Sequence, residues 1–65
     1  MPELLKVKRI LSKVSQKELA EKLNMTPNGY RNKENGKQEF KQTEIKKIKD
    51  LFNLTLEEVD QIFFT

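Results

Sequence analysis

The stretch Ser15–Gly36, SQKELAEKLNMTPNGYRNKENG, is the part of the sequence that decides the fold. Its middle, NMTPNGY, contains a proline, a glycine and two asparagines, a composition typical of a loop, whereas the flanking residues favour helix. The stretch therefore predicts a helix over about residues 16–23 and another from Pro27 to about Asn35. Asn24 takes the left-handed turn position between them, and Gly36 ends the second helix.

Capping residues locate three helix starts. Ser15 is followed three residues later by Glu18, and Thr55 is followed in the same way by Glu58, so each pair forms a capping box. Thr26 precedes a proline, which is favoured at the first helical position because the N–H that it lacks has no intrahelical partner there. These signals predict three of the helices from local sequence alone.

Apolar spacing predicts two further helices. The first runs from residues 2–3 to about Ser12 and the fourth from about Gln42 to Phe52. Either Thr43 caps the fourth helix, or Phe40 packs against Ile45 from outside it. Their apolar positions are Leu4, Leu5, Val7, Ile10 and Leu11 in the first helix, and Ile45, Ile48, Leu51 and Phe52 in the fourth. No segment alternates with the period of a strand, so the chain is predicted to be all-α with five helices.

Length and composition limit what the chain does. Its 65 residues suit one domain, residues 1–65, with a small core. The absence of cysteine and histidine argues against disulfides and against a zinc site, and no acid–base or nucleophile group is evident. We therefore expect no enzyme activity, no cofactor, no metal and no small-molecule ligand. Apolar runs are too short for a membrane span or a signal peptide, which predicts a cytoplasmic protein without a membrane partner.

Charge is distributed unevenly along the chain. All 13 lysines and arginines lie in residues 1–49, whereas the residues after 49 carry acidic groups only. A basic body either meets a polyanion such as DNA or keeps a small protein soluble. The acidic groups at the start of the fifth helix, Glu57, Glu58 and Asp60, suit the helix N-terminus better than a metal ion and indicate that this end faces away from DNA.

The helix that begins at Pro27 has two unlike sides. Tyr30 and Glu34 share one side, and Tyr30 is the only large apolar residue of the helix, so this side is predicted to face inward. The other side carries Asn28, Arg31, Asn32 and Asn35. Asparagine is a poor residue for a helix interior, but its amide pairs with adenine and arginine pairs with guanine in the major groove. We interpret the outer side as a surface that reads DNA bases.

The segment VSQKELAEKLNMTPNGYRNKENGK resembles the helix-turn-helix of the Cro/repressor-like (Xre-type) DNA-binding family. The resemblance extends over about residues 4–63 and includes the segment NLTLEE at residues 53–58. It implies a compact five-helix fold and a bacterial or phage transcriptional regulator, a repressor, that binds double-stranded DNA.

The resemblance also implies roles for individual residues. The implied base-reading positions are Pro27, Asn28 and Asn32, with Gly29 and Arg31 close by. The implied phosphate contacts are Gln16, Lys33, Asn35, Lys37, Gln38, Lys41 and Thr43. Arg9 and Glu34 match a family ion pair between the first and third helices, so we expect both residues to be structural.

Three positions depart from the family pattern. Pro27 offers only apolar contact, such as with a thymine methyl group. Gly29 either reflects drift at a tolerant position or leaves room for the DNA backbone. Lys33 stands where the family often has an apolar residue, so its alkyl chain is expected to cover the core while its amine reaches a phosphate.

The C-terminal sequence QIFFT leaves one alternative open. Val59, Ile62 and Phe63 continue an apolar stripe, whereas Phe64 falls outside it and is either a homodimer contact through the C-terminal helix or part of an inert end. A second hypothesis for the whole chain is a protein-interaction module of the same fold, such as a repressor modulator or an antitoxin.

Overall fold

The structure, a computed structural model, describes residues 2–64 and contains five helices. These are α1 (Pro2–Leu11), α2 (Gln16–Lys22), α3 (Pro27–Glu34), α4 (Gln42–Phe52) and α5 (Leu56–Phe63). No strand occurs among these residues, which confirms the all-α prediction. α1, α2 and α3 each end one residue earlier than predicted, and the bounds of α4 are those expected from its apolar spacing.

The predicted caps are formed. In the first capping box the Glu18 N–H donates to Ser15 Oγ at 3.0 Å and the Ser15 N–H donates to Glu18 Oε1 at 3.3 Å. The second box pairs Thr55 with Glu58 at 3.1 and 3.0 Å. Thr26 Oγ1 accepts the Gly29 N–H at 3.0 Å. Each cap satisfies N–H groups that have no partner inside the helix.

The start of α4 resolves the alternative left open by the sequence. Thr43 is not the cap, because it lies inside the first turn while Lys41 occupies the capping position. The Lys41 N–H donates instead to Glu44 Oε1 at 2.8 Å. Phe40 and Ile45, one residue before the cap and four after it, both pack against the core. These are the positions of a hydrophobic staple, as the second alternative expected.

Four helices end in the same backbone motif. A residue with positive φ follows each of them: Lys13 (59°), Asn24 (60°), Gly36 (84°) and Asn53 (52°). After α1, the Lys13 N–H donates to the Ile10 carbonyl at 3.0 Å and the Val14 N–H to the Arg9 carbonyl at 3.1 Å, a Schellman motif. The left-handed turn at Asn24 and the stop at Gly36 are confirmed, whereas Lys13 was not expected.

Replacing Lys13 by glycine should stabilise the protein. Asparagine and glycine tolerate this conformation, but an ordinary side chain in it is strained by about 1–2 kcal/mol. Because glycine also loses more chain entropy on folding, we expect a net gain of about 1 kcal/mol and a rise in Tm of about 4–8 °C. Thermal denaturation measures it. Lys13→Ala keeps the strain and serves as the control; an equal gain in both variants would contradict the explanation.

The core is small and is drawn from all five helices and the turns between them. Its buried apolar residues are Leu5, Leu19, Ala20, Leu23, Tyr30, Ile48, Leu54, Val59 and Ile62. Phe63 is partly buried against this core.

The apolar pattern of α1 overstated how much of that helix is covered. Of its five apolar positions only Leu5 is buried, while Leu4, Val7, Ile10 and Leu11 are 39–75% exposed. The main packing partners of α1 are α3 and α5, and the apolar side chains that point away from them stay exposed. Leu51 of α4 is likewise 44% exposed.

The packing places α3 between two other helices. α2 and α1 both contact α3, while α5 contacts α1 and α4. Ala20 of α2 is fully buried, and its small side chain lets α2 and α3 approach. Within residues 2–64, no helix has the length and apolar character needed to cross a bilayer.

Candidate nucleic-acid interface

α3 presents two different sides, as its sequence predicted. Tyr30 and Glu34 are buried at 0% and 2% exposure. On the opposite side Asn28 and Arg31 are exposed and Asn32 is half-buried. The side chains of these three residues make no hydrogen bond to any other residue of the described chain. Their donors and acceptors are therefore available to an external partner.

An aromatic cluster fixes the inner side of α3. The Tyr30 and Phe40 ring centroids lie 6.1 Å apart, and Phe40 meets Phe63 edge-on at 5.4 Å. Burial, together with the nearby Glu34 carboxylate, raises the pKa of the Tyr30 phenol, so it stays neutral. The Tyr30 hydroxyl is buried and has no hydrogen-bond partner among residues 2–64. Tyr30 therefore acts as an apolar anchor.

A buried ion pair joins α1 to α3. Arg9 Nε donates to Glu34 Oε2 at 3.0 Å and Arg9 Nη2 donates to Glu34 Oε1 at 3.2 Å, a two-point contact. Arg9 Nη1 donates to the Val14 carbonyl at 2.9 Å. Arg9 and Glu34 are thus paired and inward-facing, the arrangement that the family resemblance implies. Neither residue is placed to read DNA.

Two carboxylates that contact or belong to α3 have lowered pKa values. Burial alone would raise the pKa of Glu34, but the hydrogen bonds from Arg9 and the Arg9 charge outweigh this effect, so the pKa of Glu34 is lowered from its usual value. For Glu44, burial likewise opposes hydrogen bonds from Lys33 and the Lys41 N–H, which prevail. Both carboxylates therefore remain ionised at neutral pH.

The protein should lose stability in acid because of these two groups. A carboxylate whose pKa is lowered by folding contributes its stability above the unfolded pKa, about 4.3 for glutamate, and loses it as pH falls through the folded pKa. We expect a constant Tm from pH 7 to about 5 and a fall at lower pH. Thermal denaturation across this range measures it, and Glu34→Gln should flatten the acid limb. A Tm unchanged down to pH 2 would contradict the pairing.

Gln16 lies at the first position of α2, but its side chain is partly engaged. Its Nε2 donates to Glu34 Oε1 at 3.4 Å, and the residue is half-buried. A carboxamide carries two N–H donors, so one stays available beyond this contact. The predicted phosphate contact by Gln16 is compatible with this geometry, which also attaches Gln16 to the inner side of α3.

The expectation for Lys33 is wrong in this structure. Its Nζ donates to Glu44 Oε1 at 2.8 Å and to Glu44 Oε2 at 3.0 Å, and the two side chains are only 13% and 12% exposed. The amine therefore turns toward α4 and does not reach outward to a phosphate. The sequence did not reveal Glu44 as its partner, because the pair depends on how the chain returns between α3 and α4.

The segment after α3 brings several polar groups to the surface. The Lys37 N–H donates to the Asn32 carbonyl at 2.9 Å, which folds the chain back onto α3. The exposed members of the predicted phosphate-contacting set in this segment are Asn35, Lys37, Gln38, Lys41 and Thr43.

Pro27 and Gly29 lie in the first turn of α3. Pro27 is exposed at the first helical position. Gly29 is half-buried, and a Cβ added there would lie 3.0 Å from Thr26 Oγ1, the atom that caps the Gly29 N–H. A glycine at this position therefore leaves room for the capping hydroxyl of Thr26. This local reason differs from both interpretations of the sequence, drift and room for the DNA backbone.

The acidic end is occupied by an ion pair. Glu58 accepts from Lys8 of α1, and this hydrogen bond lowers the pKa of the Glu58 carboxyl. In the part of the chain that the structure describes, no group of histidine, cysteine or acidic residues is arranged to hold a metal ion.

Phe64, at the end of α5, is 67% exposed.

The geometry of α2 and α3, with a short turn and an outward amide-bearing side, agrees with one comparison. The family model described as Helix-turn-helix matches residues 5–59. The chain belongs to the Xre/Cro-like helix-turn-helix family. No curated protein and no solved structure gives a significant match. The helix-turn-helix domain is all-α and of a DNA-binding, regulatory and generally non-enzymatic type. α2 and α3 are its helix-turn-helix.

Proposed function

We propose that residues 1–65 form one DNA-binding domain that recognises a specific double-stranded sequence with α3 in the major groove. The observation that carries the proposal is the outer side of α3, where Asn28, Arg31 and Asn32 have no partner in the described chain. A major groove about 12 Å wide accepts a helix, and side chains of these types pair with adenine and guanine edges. The protein then represses transcription because it occupies the operator.

The residues around α3 supply the contacts that position it. Pro27 lies at the exposed N-terminus of α3, where it contacts a thymine methyl, and Gly29 allows close approach of the helix backbone. The phosphate contacts are assigned to Gln16, Asn35, Lys37, Gln38, Lys41 and Thr43. Such contacts set orientation and carry no sequence information by themselves.

Selection from a random duplex pool tests the proposal. We expect a consensus of a few base pairs enriched in adenine and guanine, and an affinity whose logarithm falls with the logarithm of salt concentration by about 0.9 per phosphate neutralised. A pool that shows no enrichment, or binding that does not change with salt, would overturn it.

Replacing Lys41 by alanine should weaken binding to all duplexes equally. Lys41 is exposed at the cap of α4, and its removal takes away one cation. The salt slope should then decrease by about one. Fluorescence anisotropy with selected and scrambled duplexes, each in a salt series, measures it.

Lys22→Ala is the matched control for Lys41→Ala. Lys22 is exposed at the other end of α2 from Gln16, in a surface depression shared with Lys47 and Asp50. The Lys22→Ala variant should keep the salt slope of the wild type. A slope that changes equally in both variants would contradict a specific role for Lys41.

Besides DNA binding, the exposed apolar residues support two kinds of protein contact, a homodimer and binding to another protein. Phe64 at the C-terminal end supports a homodimer that binds a two-fold operator, whose half-sites lie about one helical turn apart. The exposed side chains of α1 favour the second candidate, a module that binds another protein. A palindromic consensus supports the first, and partner binding that does not depend on salt supports the second.

A further inference from the structure

One carboxylate connects α3 to the beginning of α4. Glu44 accepts two hydrogen bonds from Lys33 Nζ, at 2.8 and 3.0 Å, and one from the Lys41 backbone N–H at 2.8 Å. Lys33 lies in the last turn of α3, and Lys41 is the capping residue of α4. The three bonds therefore close the chain between residues 33 and 44 into a loop.

This arrangement exceeds what a helix cap requires. A capping glutamate needs only the N–H at the cap, which Lys41 provides. Lys33 reaches Glu44 from another helix, and only 13% of its side chain is exposed. Holding a long, flexible lysine in this way costs conformational entropy, which the two hydrogen bonds to the carboxylate offset.

The segment inside the loop is fastened at its other end as well. The N–H groups of Lys37 and Gln38 both donate to the Asn32 carbonyl, at 2.9 and 3.4 Å, so the chain folds back on α3 immediately after Gly36. Two groups therefore hold the segment that carries the proposed phosphate contacts. The Asn32 carbonyl binds its beginning, and the Glu44 carboxylate binds its end. Asn32 is also assigned to a base.

We propose that Glu44 is a positioning residue, which uses Lys33 to hold the phosphate-contacting segment 35–43 in register with the base-reading side of α3. The inference rests on the proposed DNA binding. It has a second consequence, because the carboxylate neutralises Lys33 and keeps its amine from the DNA. The Lys33–Glu44 pair removes one non-specific phosphate contact and fixes the position of segment 35–43 relative to α3. It therefore favours discrimination between sequences over affinity for any DNA.

A set of four proteins tests the inference: the wild type, Lys33→Met, Glu44→Gln and the double variant. Glutamine also serves in capping boxes, so Glu44→Gln keeps an acceptor for the Lys41 N–H. Methionine keeps an apolar chain of similar length at position 33. The affinities for the selected duplex and for a scrambled duplex are measured over a range of salt concentrations, together with Tm.

The expected results differ between the two single variants. Glu44→Gln releases Lys33, so the salt slope on scrambled DNA should steepen by about one and the binding to it should tighten. Lys33→Met should leave the slope unchanged. In both variants the ratio of the two affinities should fall by about tenfold, and the double variant should resemble Lys33→Met because the two residues act as a pair.

Two results would overturn the inference. A slope that decreases by about one in Lys33→Met would show that Lys33 itself contacts a phosphate. An affinity ratio that stays at the wild-type value while Tm falls would reduce the pair to a structural role.

Amide hydrogen exchange separates this inference from the proposed function. If the wild type binds no duplex, the proposed function fails, yet exchange at the Lys37 amide, which is bonded to the Asn32 carbonyl, still reports the tether. Faster exchange in Glu44→Gln than in the wild type supports the tether, and equal rates refute it.

Discussion

Replacing Glu34 by alanine should cost about 3–5 kcal/mol of the free energy of unfolding, the usual effect of removing one partner from a buried ion pair. In the wild type the hydrogen bond to Glu34 raises the pKa of Arg9. Arg9 would keep its charge without this bond, because a guanidinium is not deprotonated in proteins. Arg9 is only 7% exposed, so the guanidinium would be left buried without a counter-charge. Gln16 would lose its partner too.

Such a loss is comparable with the whole stability of a small domain, about 5 kcal/mol at the lower end of the usual range. The variant should therefore be largely unfolded at 37 °C, which circular dichroism at 222 nm and thermal denaturation would show. Glu21→Ala removes an exposed carboxylate from α2 and should change stability by less than about 0.5 kcal/mol. A Glu34→Ala protein that melts like the wild type would mean that the Arg9 pair does not exist in solution.

Asn32→Ala should weaken binding to the selected duplex by about 1–3 kcal/mol and leave the binding to scrambled DNA nearly unchanged. The Asn32 side chain makes no hydrogen bond in the described chain, whereas its backbone carbonyl fastens the following segment. The substitution therefore removes the proposed base contact and should leave the fold intact. Competition titrations with both duplexes measure the difference.

Asn35→Ala is the matched control for this result. Asn35 is an exposed asparagine three residues further along, at the end of α3, and is assigned to a phosphate. Its replacement should weaken both duplexes to a similar degree. Equal losses on the two duplexes for Asn32→Ala would remove Asn32 from the base-reading set.

The helices could be predicted because their starts depend on residues close together in sequence. Ser15 with Glu18, and Thr55 with Glu58, form their hydrogen bonds within three residues, so the chain elsewhere does not affect them. The αL residue after α1 was missed for the opposite reason. Lysine does not favour the left-handed conformation that Lys13 adopts, so its residue type gave no sign of the turn.

Burial was harder to predict than helix position. In α1 the apolar residues surround more of the helix than the small protein can cover, and periodicity alone does not show which of them meet a neighbour. Leu5 is buried in the core at 1% exposure, whereas Leu11 remains 75% exposed.

The orientation of α3 was predicted from the sequence, whereas some of the contacts around it were not. The orientation of α3 followed from Tyr30, its only large apolar residue, and the structure places Tyr30 in the core. The contact between Lys33 and Glu44 spans a turn with no regular structure, so no periodic pattern records it. The sequence shows which residue types lie on a helix, and the path of the loops determines which of them meet.

The division of α3 into two sides has a consequence for how such a protein changes over generations. The buried side chains of Tyr30 and Glu34 attach α3 to the rest of the protein. The side-chain amides of Asn28 and Asn32, on the opposite side, make no hydrogen bond within the described chain. Under the proposed function, mutations at Asn28 or Asn32 therefore alter the preferred target while the melting temperature stays unchanged. A lineage can explore new binding sequences one substitution at a time without passing through unfolded intermediates.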